Sequence, residues 1–115
     1  MNHYENEEQI QAVVSGFEQC TTPKDGFKHA SHLAVAAYYL SKLNKDDAVA
    51  KMREGLFRFL DHHGIDRAKY DEQVTRNWIN LIQQVMEEDN ASLITTTNKV
   101  LERLGNYEIP KRSRG

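Results

Sequence analysis

Cysteine is almost absent from this chain: Cys20 is the only one in 115 residues. A lone thiol cannot close an internal disulfide, which favours a reducing, cytoplasmic setting over a secreted, cystine-stapled one. Long apolar runs are missing too. None approaches the roughly 18–20 residues that a membrane-spanning helix needs. The first residues, Met-Asn-His-Tyr-Glu-Asn-Glu-Glu, lack the basic and apolar regions of a secretory signal. Neither sign of charge dominates, since 15 Lys and Arg face 17 Asp and Glu for a net charge of −2. So balanced a chain exerts no long-range pull on nucleic acid or on an anionic membrane. The basic residues within 111–115 are the local exception and read as a solvated terminus. There is no internal repeat, no low-complexity segment and no linker. These absences leave one soluble domain over residues 1–115, large enough for a single core.

What the chain does have is helical spacing. No segment alternates as a half-buried strand would. A first helix is expected over about 7–20, capped by Asn6 with Gln9 at the capping-box position, burying Ile10, Val13, Val14 and Phe17. Thr22-Pro23 stops it. A second helix is expected over about 27–43, and Asn44-Lys45 turns the chain. Asp46 or Asp47 begins a third helix with Val49, Met52, Leu56, Phe59 and Leu60 on its stripe and Gly64 as its C-terminal cap. A fourth covers about 70–88, with Val74, Trp78, Ile82 and Val85 aligned. A fifth, about 92–104, is weakened by Thr95-Thr96-Thr97 and ended by Gly105. Residues 106–115 read as irregular. Short connections imply antiparallel neighbours, so the fold class is all-α, a compact antiparallel bundle of four to five helices.

The stretch FKHASHLAVAAYYL, residues 27–40, is the chemically loaded one. At about 100° per residue, His29 falls at the centre of the apolar face of Leu33, Ala36 and Leu40, and His32 at its edge. The same wheel on the fourth helix places Asp71 at the head of the stripe of Trp78 and Ile82, with Glu72 on its flank. His63 shares the side of Met52, Leu56 and Leu60. In an antiparallel bundle these five residues gather at one end, with Asp71 as the expected partner of His29.

Three readings follow. Imidazole and carboxylate together suit a divalent metal, whether zinc, iron, manganese or nickel. His29, His32 and Asp71 would be the ligands, with Glu72 as fourth ligand or catalytic base and His63 as a further candidate. Alternatively, a histidine beside a carboxylate serves metal-free acid–base chemistry or binding of a small molecule, with Tyr70, Thr75 and Trp78 in the pocket wall. The third reading is a buried His–Asp hydrogen bond in a non-catalytic structural or interaction protein, one that pairs as a homodimer through the first or fifth helix. The choice among them decides whether the chain is an enzyme. His62 reads as exposed, His3 as part of a fraying terminus and Cys20 as a small hydrophobe.

Phe27 to Leu40, together with Gly64, Lys69-Tyr70-Asp71-Glu72, Thr75 and Trp78-Ile79, resembles a group of small uncharacterised bacterial helical proteins. They carry the elements F-x-H-x-x-H-L and K-Y-[HD]-E-x-x-T-x-x-W-I. This chain has Asp71 where the second element usually has histidine, and Gln73 where it usually has threonine. The resemblance implies a site at these positions. Asp61-His62-His63-Gly64 reverses the His-Asp order that HD-type metal phosphohydrolases require.

Overall fold

Asn6 starts the first helix, α1 (Glu7–Gln19), by accepting the Gln9 N–H at 3.0 Å, while the Gln9 side chain reaches back to the Glu5 N–H at 2.7 Å. Two orphan donors are thereby satisfied at once. The structure, a computed structural model, describes residues 4–22, 28–88 and 92–105. His3, Pro23, Phe27 and the segment 106–115 lie outside the described residues. Cys20 closes α1 in a left-handed conformation, φ 57°.

α2 (His29–Lys42) follows, and it departs from the one-faced helix that the wheel implies. Five consecutive residues, Leu33 to Ala37, are buried, as is Tyr39. A helix apolar on every side belongs at the centre of a fold, and α2 packs against all four other helices. Ala34, Ala36 and Ala37 let those neighbours approach closely.

α3 (Lys45–His62) is capped by Asn44, which accepts from Asp47 N at 2.8 Å. The helix starts at Lys45, just before the Asp46 or Asp47 expected to begin it, and both aspartates occupy the first turn, where the helix dipole favours them. Its other end is a Schellman motif. Ile65 N donates to Leu60 O at 2.8 Å and Gly64 N to Asp61 O at 3.2 Å, around a left-handed Gly64 at φ +68°. His63 is the C-cap and Gly64 the residue after it.

A 3-10 turn, Arg67–Lys69, then leads into α4 (Glu72–Met86), two residues later than expected. α5 (Leu93–Leu104) begins at the cap Ser92 and buries Thr96 and Thr97. Packing against α2 and α4 outweighs the poor helix propensity of its threonines. Glu88 takes Arg103 at 2.7 Å and Lys99 at 3.1 Å, tying the end of α4 to α5.

The five helices form an all-α bundle with no strand among the described residues. One core runs through it, from Ile10, Val14 and Phe17 of α1 across Leu33 and Val35 to Val49, Ile79, Ile82, Val100 and Leu101. No helix among the described residues is long and apolar enough to cross a membrane.

Candidate functional site

The first half of α2, the second half of α3 and the first half of α4 converge around a cavity of about 510 Å3. Its walls are apolar over most of their extent: Leu33, Ala36, Met52, Leu56, Phe59, Ile79 and Ile82. Its polar lining residues are His29, His32, Lys69, Tyr70, Asp71 and Thr75. Trp78 adjoins them. The structure thus brings together the three residues expected as metal ligands and three of the four additional candidates.

His29 does not find its partner where the wheel pointed. Its Nε2 lies 3.0 Å from the carbonyl oxygen of Leu104, the last residue of α5. That oxygen is one of the four left over at a helix C-terminus, so the imidazole acts as a side-chain cap on another helix. The ring also meets Trp78 edge-on, with centroids 4.9 Å apart. Because a carbonyl only accepts, the shared proton belongs to Nε2 and the neutral ring keeps its lone pair on Nδ1.

His32 is set by the backbone of its own helix. Its Nδ1 is 3.1 Å from Lys28 O, which also accepts the His32 N–H at 3.1 Å. The same reasoning leaves the lone pair on Nε2. Burial pushes this imidazole below its ordinary value of 6.5; the Lys28 carbonyl opposes that and the neighbouring His29 adds to it. Burial thus favours the neutral form of the ring over the charged one.

Asp71 is the N-cap of α4 rather than the head of its buried stripe. Its carboxylate accepts from Val74 N at 3.1 Å, and its backbone oxygen accepts from the Thr75 hydroxyl at 3.1 Å. The period-based wheel assumed helical backbone one residue too early, so it misjudged where this side chain begins.

Glu72 has a different task from the base or ligand expected of it. Arg53 grips it with two N–H groups at 2.9 and 2.7 Å, Arg76 adds a third contact at 2.8 Å, and the Tyr70 hydroxyl donates to it at 2.8 Å. Arg53 above all, against partial burial and with help from Tyr70 and Arg76, holds its carboxyl down at about 2. So acidic a group is a weak base; it fastens α3 to α4 and orients Tyr70. His63 also stands apart from the cavity lining. Its ring packs on Phe59 and His62, at 4.5 and 4.9 Å, and its buried Nε2 has no hydrogen-bond partner among the described residues.

Among the described residues, no group of three or more His, Cys, Asp or Glu side chains is placed to hold a metal ion. Sequence reasoning met Lys69 only within the K-Y-[HD]-E element, with no role of its own, and passed over the Leu104 carbonyl. Lys69 follows no helical period, since it sits in the 3-10 turn, and a backbone oxygen has no signature in a sequence. Comparison with protein-family models, with curated proteins and with solved structures finds no match to the chain.

Proposed function

We propose that the chain binds a small amphiphilic molecule in the cavity between α2, α3 and α4. One observation carries this reading: a cavity of about 510 Å3 lined mostly by apolar side chains, with His29, His32, Lys69, Tyr70, Asp71 and Thr75 as its polar members. That size falls in the range of ligand pockets, roughly 300–1,000 Å3. Such walls take an apolar body, while the polar lining residues can orient a polar group. Ligand-observed NMR with a fragment library tests this. Binders are expected for the native chain and lost in Val74→Trp, whose indole fills the cavity from its half-buried α4 wall. If no fragment binds, or if Val74→Trp binds the same ones, the reading fails.

A divalent cation is a second occupant with one observation in its favour. Both imidazoles give their N–H to backbone carbonyls, the arrangement that orients metal-ligating histidines. Elemental analysis of protein purified without chelator would then find near-stoichiometric metal, absent from His29→Ala and from Asp71→Asn. A native protein that carries no metal and takes none up removes this occupant.

A further inference from the structure

The polar side chains of the cavity wall are already engaged within the fold. His29 donates to Leu104 O and His32 to Lys28 O. The Tyr70 hydroxyl donates to Glu72 at 2.8 Å, and its oxygen accepts from Thr75 and Arg53. The Thr75 hydroxyl is shared between that oxygen and Asp71 O, the latter at 3.1 Å. Asp71 caps α4 through Val74 N, and His32, Asp71 and Trp78 each have a further interaction inside the protein. Lys69 is exposed, and its long stem carries the charge to water. Lys69 and Asp71, opposite in sign and two residues apart, favour neither an anion nor a cation. Burial also pushes two lining rings toward their uncharged forms. It lowers the His32 imidazole from 6.5 and raises the Tyr70 phenol from 10.0. The one would charge as a cation and the other as an anion, so this wall disfavours both signs.

Resting on the binding reading above, we infer that the cavity selects an uncharged ligand: a hydrocarbon body about the size of two fused rings, bearing at most a neutral polar group such as a hydroxyl. The size follows from the volume. An apolar cavity of about 150 Å3 holds one benzene, so about 510 Å3 has room for a two-ring body and a short substituent. Leu33, Met52, Phe59, Ile79 and Ile82 cover such a body without asking anything polar of it. An ionic head drawn among these side chains would give up its water and meet groups whose hydrogen bonds are already made, which is the costly way to bury a charge. A hydroxyl gives up far less and can join one of the existing bonds.

Equilibrium dialysis near neutral pH with 2-naphthylmethanol, 2-naphthylmethylammonium and 2-naphthoate, which share one body, tests the inference. The alcohol is expected to bind at least about tenfold more tightly than either ion. Lys69→Gln, and Asp71→Asn with its competent helix cap, should each leave the alcohol's affinity within about threefold, since neither charge holds it. Val74→Trp should abolish its binding. An ion that binds as tightly as the alcohol, or a larger loss in Lys69→Gln or Asp71→Asn, overturns the choice of an uncharged ligand and leaves the pocket standing. Hexanol binding where no naphthyl compound does overturns the two-ring body alone. Failure of hexanol and all three naphthyl compounds, or alcohol binding that survives Val74→Trp, overturns the pocket and the inference with it.

Discussion

His29 and Leu104, 75 residues apart, are joined by a 3.0 Å hydrogen bond from the imidazole Nε2 to the carbonyl that ends α5. One side chain thereby fixes the first turn of the central helix to the last turn of another and determines which ring nitrogen faces away. Removing it costs structure as well as chemistry. His29→Ala should destabilise the fold by about 1–3 kcal/mol, from the lost hydrogen bond and the lost edge contact with Trp78. Amide exchange should locate the loss, with protection falling first in the last turn of α5. A fall confined to α1 would show that the bond carries nothing.

Asp71 separates stability from binding. Asp71→Ala removes the α4 cap and should cost about 1 kcal/mol in urea denaturation. Asp71→Asn should lie within a few tenths of a kcal/mol of the native chain, because its amide oxygen caps the helix as well. A ligand that needs the charge will weaken in both variants alike, although only one of them is destabilised.

Acid stability should carry the mark of Glu72. Its carboxyl lies at about 2 in the fold, against an ordinary 4.5. Between these values the unfolded chain binds a proton that the folded chain refuses, so stability falls as pH drops through that window. The side chain is 37% exposed, and screening keeps the contribution under about 1 kcal/mol. Glu72→Gln should flatten the dependence of the urea midpoint on pH between 4.5 and 2. His32, lowered from 6.5, acts in the same direction at milder acidity: stability is full above 6.5 and declines as the unfolded imidazole takes up its proton. His32→Gln should remove that upper slope.

Gly55 tests the packing of α3. It is buried, and a Cβ there would overlap the Phe17 ring of α1, itself wholly buried. Helix propensity alone favours Gly55→Ala by about 1 kcal/mol. The overlap should win, for a net loss of about 1–2 kcal/mol, because an enclosed ring has nowhere to retreat. A stabilised Gly55→Ala would mean that α1 sits less firmly on α3.

The helices were legible because burying one stripe leaves a period, and the periods of α1, α3 and α4 are clear. α2 was misjudged as one-faced: Ala34, Val35 and Ala37 advertise all-round burial, but a wheel centred on His29 discounts them. The gathering of His29, His32 and Asp71 followed from helix order alone. Their partners did not. Leu104 contributes a backbone oxygen, and Asp71 became a cap because the turn before it takes a 3-10 path. Glu72 gave no hint that Arg53, nineteen residues earlier, would neutralise it.

The state of the two imidazoles is the centre of this account, and long-range 1H–15N correlation of the histidine rings near neutral pH reads it directly. His29 should carry a proton on Nε2 and His32 one on Nδ1, each shared with its backbone carbonyl. A His29 protonated on Nδ1 alone, or a His32 protonated on Nε2 alone, would contradict it.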